Sequence, residues 1–369
     1  LEPISPLAAL WLASLQLAHV AQFPQALALS LATGVASVLL ALGATAAILS
    51  TGFGMRQQRD RAAYLPAMLA LPHIAFALGA VMWLAPSGIL LRLVFTVFAP
   101  VASWMPWSMD APPLWQTTQD PWGLGLVLVL SCKEIPFLLW AAVAQLQRPD
   151  TAQRMQSQLR VAATLGYSAS TAWWRIVWPQ LLPRMGGPLL AVWAYSVSVV
   201  DVAWIIGPGA PPTLAVLAWQ WIMHADPALR AQGLAAVMCL MACTAVLALL
   251  AAWGYCAYTL GSAPARWTRG IVLGAASAAD ETSLAQRLAQ GLPKILAVLY
   301  GLIFVALLWA SFAGAWPFPF LLPQSWTFQA WQQIAIGSAA LSTTLWLGLA
   351  SAAGALLLAL LCLECLPQR

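Results

Sequence analysis

Four ionisable side chains fall in apolar stretches of this 369-residue chain: His73, Lys133, Glu134 and Asp201. Lys133 and Glu134 share a run, roughly 122–146, long enough to cross a bilayer. A charge at the centre of such a helix costs about 2.5–3.5 kcal/mol on insertion scales, so it must face protein or water. Adjacent residues point about 100° apart on a helix and pair poorly, so each needs its own partner. Pro136 withholds the N–H that a carbonyl near Cys132 would accept, which favours a local distortion there. Two roles fit Lys133 and Glu134 equally: lining or gating a path through the membrane, and tethering neighbouring helices. Asp201, in WAYSVSVVDVAWIIGPG, favours the path over a polar contact between helices. His73 follows Pro72 and favours a hydrogen-bonded helix contact over the path.

Other chemistry is nearly absent. The two lysines, Lys133 and Lys294, follow Cys132 and Pro293, so there is no Gly-Lys phosphate loop. The histidines at 19, 73 and 224 are scattered, with no His-Glu helix pair and no nucleophile elbow. The six cysteines, at 132, 239, 243, 256, 362 and 365, read as buried free thiols, and Cys239 with Cys243 makes a poor metal site. No metal site is expected. The net charge of +5 is not a nucleic-acid footprint, because the basic residues are sorted by loop.

The elements that carry these residues are helices. The chain is 62% hydrophobic and 7% charged, where a soluble domain carries about 25% charged residues. It reads as an all-α membrane protein, a polytopic helical bundle. After a proline-broken lead-in at 1–24, seven spans fall at roughly 25–50, 64–85, 122–146, 188–206, 231–256, 293–313 and 339–362. Gly34, Ser37 and Gly43 let helices approach closely in the first. Pro66 and Pro72 should kink or loosen the second. Residues 86–121 read as a short re-entrant or interfacial helix, then a Trp/Pro-rich piece. Trp83, Trp104, Trp107, Trp115 and Trp122 suit an outer interfacial belt. An external loop begins at Gly207.

Thirteen of the 16 Lys and Arg residues fall on one side of this alternating scheme, which places that side in the cytoplasm. Five of them, Arg148, Arg154, Arg160, Arg175 and Arg184, lie in the segment between the third and fourth spans. Its centre, Arg160–Pro183, reads RVAATLGYSASTAWWRIVWPQLLP. Asp150 or Thr151 can cap a first helix and Gly166 can end it; Ser168 or Ser170 can cap a second, which Pro179 limits.

This stretch resembles the cytoplasmic loop signature of binding-protein-dependent ABC importer permeases: Glu-Ala-Ala, three residues, Gly, nine residues, Ile, one residue, Leu-Pro. Ala162, Leu165, Gly166, Ile176 and Pro179 fall in register. Arg160 stands in place of Glu, Val161 of Ala and Trp178 of Leu. The resemblance implies the type I importer permease bundle, with loop 150–183 docking on a separate cytoplasmic ATPase dimer. It implies a periplasmic solute-binding protein, the bilayer and no nucleic acid as surroundings, and the bacterial inner membrane as location. No cofactor is expected in this chain; ATP and Mg would sit on the partner, and the chain itself would be no enzyme. Arg160 implies either a different contact on the ATPase or weaker coupling. Asp201 matches an acidic position that related permeases carry after a Phe/Ser-rich run.

SLATGVAS at 30–37 matches TLWLGLAS at 344–351 at Leu31/Leu345, Gly34/Gly348, Ala36/Ala350 and Ser37/Ser351. The division that follows is a first permease module at 1–260, a cytoplasmic linker at 261–292 and the start of a second module at 293–369. The ends read as those of a fragment. The arrangement resembles two-module permeases for ferric iron, thiamine and sulfate. A secondary transporter driven by an ion gradient is the alternative; it also accounts for intramembrane charges, but not for the helix–Gly–helix loop.

Overall fold

The computed structural model describes residues 17, 20–51, 64–98, 111–260 and 284–365. His19, Arg56, Arg59, Arg61, Trp104, Trp107, Arg266, Arg269, Asp280, Glu281 and Arg369 lie outside the described residues. Within them the chain is helical, with one isolated β-bridge between Ala313 and Trp326. Among the described residues, six helical segments are long and apolar enough to cross a membrane: Phe23–Ser50, His73–Val97 (two helices joined by a turn at 85–88), Leu124–Leu146, Pro227–Ala257, Gln286–Phe312 and Ser338–Cys365. The chain is an all-α, multi-pass membrane protein.

Helix α1 (Phe23–Ser50) takes a proline in its first turn, where the missing N–H is already an orphan. Its Thr33 and Ser37 hydroxyls donate back to the carbonyls of Leu29 and Thr33, both at 2.7 Å. Gly34 sits at a close crossing: a Cβ there would meet Cγ2 of Val197 at 2.5 Å. Gly43 has nothing within 4 Å, so it does not serve the close approach expected of it.

The second span is broken rather than kinked. Helix α2 (Leu65–Ala70) has Pro66 in its first turn, where proline is tolerated, so Pro66 distorts nothing. Leu71 is extended (φ −70°, ψ 120°), as the residue before proline prefers, and α3 (His73–Leu84) starts anew after Pro72. Helix α4 (Ile89–Phe98) is the short helix expected in the 86–121 region.

Helix α5 (Leu124–Leu146) is the centre of the bundle, with most of its residues buried and Pro136 absorbed inside it. Gly123 precedes it in the left-handed region (φ 68°), and the buried Asp120 carboxylate accepts the N–H groups of Leu124 (2.7 Å) and Gly125 (2.9 Å). Helix α6 (Pro149–Thr164) begins just before the predicted cap: Arg148 is the extended flanking residue, and Asp150 lies in the first turn, where the helix dipole favours it.

The fourth span is two pieces, α7 (Gly186–Ser198) and α8 (Asp201–Ile206), parted by the extended Val199. The pair lies along α5, where the Gln119 N–H donates to the Ile206 carbonyl at 3.0 Å. Helix α9 (Leu214–Ile222) was not predicted. Nothing in its local sequence caps it; Ser30 of α1 accepts the Leu214 N–H at 2.7 Å from 184 positions away. Helices α10 (Pro227–Leu260), α11 (Leu284–Phe312), α12 (Gln329–Ile336) and α13 (Ser338–Cys365) complete the chain. The end of the expected 261–292 linker is therefore helical from Leu284.

Gly348 of α13 meets nothing within 4 Å, unlike its counterpart Gly34. All six cysteines are free, but none is fully buried: Cys256, Cys362 and Cys365 are exposed. Cys362 and Cys365 also form a Cys-Leu-Glu-Cys pair at the end of α13.

The Gly34 crossing gives a direct test. Gly34→Leu should lower the thermal unfolding midpoint of the purified protein, by the equivalent of about 1–3 kcal/mol for overpacking. Gly43→Leu should leave the midpoint unchanged.

Candidate functional site

Two polar features stand out from the apolar bundle. One is the elbow between α6 and α7; the other is a cluster where α2, α3, α5, α7 and α11 meet.

The elbow is built by local signals. Gly166 is left-handed (φ 80°), and α6 ends in a Schellman closure: the Tyr167 N–H donates to Ala162 O (3.0 Å) and the Gly166 N–H to Ala163 O (3.1 Å). Ser168 caps the next helix, its Oγ accepting the Thr171 N–H at 3.2 Å. Ala162 is buried, whereas Arg160, Val161 (59% exposed), Leu165 (69%) and Gly166 form an open, partly apolar tip.

Pro179 does not limit the second arm. The chain stays helical from Ala169 to Ser198 by changing its winding: Ala169–Ala172, a π turn at Trp173–Val177, an α turn at Trp178–Leu181, a 3₁₀ turn at Leu182–Met185, then α7. The wider turn makes room for the ring of Pro179. Ile176 lies in that turn, and its carbonyl accepts from Gln180 Nε2 at 2.6 Å. Trp173 is fully buried and fixes the arm to the core around α5.

The intramembrane charges are partnered separately, as their angular separation requires. Lys133, 3% exposed, donates from Nζ to the Met68 carbonyl at 2.8 Å. That carbonyl would otherwise accept from residue 72, which is a proline and has no N–H. Glu134, 5% exposed, holds His73: Nε2 lies 3.1 Å from Oε1. The His73 ring packs on Tyr195 of α7, centroids 4.6 Å apart.

Pro136 likewise strips the Cys132 carbonyl of its donor, and the Tyr300 hydroxyl of α11 donates to it at 3.4 Å. The Tyr300 ring stands 5.6 Å from Lys133 Nζ and 4.8 Å from Phe76. Asp201 is apart from this cluster, exposed in the first turn of α8. The structure thus gathers Lys133, Glu134 and His73 and leaves Asp201 at the rim. Sequence reasoning missed Tyr195 and Tyr300; Pro136 marks the Cys132 carbonyl that Tyr300 meets, but nothing in the sequence marks Tyr195.

A third centre was also missed. Arg92 of α4 is 6% exposed, and its guanidinium donates to the carbonyls of Ser87 (2.7 Å), Trp316 (3.1 Å), Pro317 (2.9 Å) and Phe320 (2.6 Å). It also lies over Trp316 and Phe318, 5.0 and 5.6 Å from the ring centroids. It pins the loop between α11 and α12.

The fold defines a multi-pass helical membrane protein with buried charges tied to interrupted helices and an exposed helix–glycine–helix elbow. The chain is 36% identical over 354 residues to the inner membrane ABC transporter permease protein YnjC of Escherichia coli strain K12, a match covering 94% of this chain and 58% of that protein. It is thus a relative of inner-membrane ABC transporter permeases and a multi-pass protein of the inner membrane. It spans a little over half the length of the relative it matches. No protein-family model and no solved structure matches it.

Arg92 acts as a one-residue fastener for the α11–α12 loop. Arg92→Gln should destabilise the protein by about 2–3 kcal/mol, the scale of bonds from a charged donor. Limited proteolysis should then cut first within 313–328, while the wild type resists there.

Proposed function

We propose that this chain is the membrane-spanning permease part of a bacterial ATP-driven ABC importer, a transport component rather than an enzyme. The elbow at 150–183 docks on a separate cytoplasmic ATPase dimer, which binds ATP and Mg. A periplasmic solute-binding protein delivers the solute to the outer face. Lys133, Glu134, His73 and Asp201 belong to the helices that shape the solute pathway. Closure of the ATPase dimer moves the elbow and, through it, the membrane helices.

The observation that carries this reading is the elbow itself. A helix closed by left-handed Gly166, with Val161 and Leu165 exposed in the turn before it, offers a partly apolar tip suited to a groove. It occupies the position of the permease signature, and the matched relative is an ABC transporter permease.

Gly166 provides the test. A Cβ there meets nothing within 4 Å, so only the backbone conformation resists substitution. Gly166→Ala should cost about 1 kcal/mol of local strain and leave uptake largely intact. Gly166→Pro, whose φ is fixed near −65°, destroys the elbow. It should insert normally, fail to retain the ATPase in pull-down and lose solute uptake. Wild-type uptake in Gly166→Pro refutes the assignment.

A further inference from the structure

Residues 68 and 73 stand on opposite sides of the extended pair Leu71–Pro72. Each is held by one of two adjacent residues of α5: Lys133 bonds the Met68 carbonyl at 2.8 Å and Glu134 meets His73 at 3.1 Å. Two neighbouring side chains that point about 100° apart thus grip the two sides of one helix break. The break has the marks of a hinge. Leu71 can absorb a change of φ and ψ and Pro72 a change of ψ, its φ being fixed by the ring, and a carbonyl freed by proline has no backbone bond to lose. The short α2 beside it borders a small apolar cleft lined by Tyr64, Leu65, Met68, Leu139, Val143 and Leu296.

We propose that Lys133 and Glu134 are positioning residues that clamp a hinge at Leu71–Pro72 and set the angle between α2 and α3. Lys133 holds the α2 side because Pro72 leaves Met68 O without a donor. Glu134 holds the α3 side through His73. Tyr300 braces the clamp, with its hydroxyl on Cys132 O and its ring beside Lys133. The clamp assigns the buried lysine to the backbone of a neighbouring helix rather than to a solute. Its consequence for transport rests on the permease reading; the hinge geometry does not.

The test uses full-length protein in lipid nanodiscs, with the six native cysteines replaced. Nitroxide labels at Ala67→Cys and Leu78→Cys, both exposed, report the distance across the break. With Lys133 present the distribution should be single and narrow. Lys133→Met should shift the ratio of a second population to the first by about tenfold, because Met68 O is then buried without a donor. Lys133→Arg, which keeps a donor, should restore the single distance.

Pro72→Ala supplies the decisive background. Alanine returns the backbone N–H that Met68 O lacks, so Lys133→Met should then have no effect on the distribution. An unchanged distribution in Lys133→Met overturns the proposal, as does equal broadening by Lys133→Met with and without the Pro72→Ala change. If Lys133→Met alone does not accumulate, recovery of expression in the Pro72→Ala, Lys133→Met double variant supports it, and failure of that double variant overturns it. Neither ATPase nor solute enters this measurement, so a failed uptake assay would count against the importer reading alone.

Discussion

The Met68 carbonyl has no backbone donor, because the residue four positions on is Pro72, and the bilayer core offers no water to replace it. Lys133 supplies the bond. The same constraint recurs at other interruptions of this bundle. The Cys132 carbonyl freed by Pro136 is met by Tyr300, the Leu214 N–H by Ser30 and the first N–H groups of α5 by Asp120. Carbonyls of the loop at 316–320 are met by Arg92. In each case a polar side chain buried among apolar helices answers a main-chain group that the interruption left open. The interruptions and the buried polar residues are therefore two halves of one arrangement. Neither is stable in an apolar surrounding without the other.

This changes what a buried charge signifies here. Lys133 and Glu134 carry opposite charges on adjacent residues, yet their bonds run to different helices. The lysine faces a carbonyl dipole and an aromatic ring, weaker partners for an ammonium group than a carboxylate but well placed. The glutamate takes the histidine, whose other side packs on Tyr195 of α7. Three helices and a short fourth are thus referred to one turn of α5. In lipid, where apolar side chains gain little by meeting each other rather than acyl chains, such polar ties specify which helices are neighbours.

The parts of the structure legible in the sequence are those decided locally. Gly166 and Ser168 set the elbow by their own backbone preferences, and both act there as their residue types require. The apolar runs at 25–50, 122–146, 231–256, 293–313 and 339–362 became long helices, as length and composition require, whereas those at 64–85 and 188–206 broke. The parts that were not legible depend on residues far away in the chain. Leu214–Ile222 is a nine-residue helix that starts after Thr213, a residue type suited to a cap, but the side chain that bonds its first N–H is Ser30 of α1. Pro179 reads as a terminator, yet a π turn lets the helix pass. Gly43 has the composition of a helix crossing and no helix to cross. Tyr195 and Tyr300 are ordinary aromatic residues of apolar helices until the fold places them beside His73 and Lys133.

The elbow and the clamp are joined by one piece of secondary structure. From the Ser168 cap the chain runs helically to Ser198, and Tyr195 lies near its far end. At 1.5 Å per residue that arm is about 40 Å long, comparable to a full crossing. Its winding changes at Trp173–Val177 and Leu182–Met185, the turn types at which helices bend, but no extended residue interrupts it. The first non-helical residue after it is Val199. The arm therefore links the elbow to Tyr195 through continuous helix, and Tyr195 packs on His73 beside Pro72. The extended residues at either side of that ring contact are Val199 at the end of the arm and the pair Leu71–Pro72 across it. The side chains on α5 that bond His73 and Met68 therefore stand at the meeting point of the arm and the broken second span.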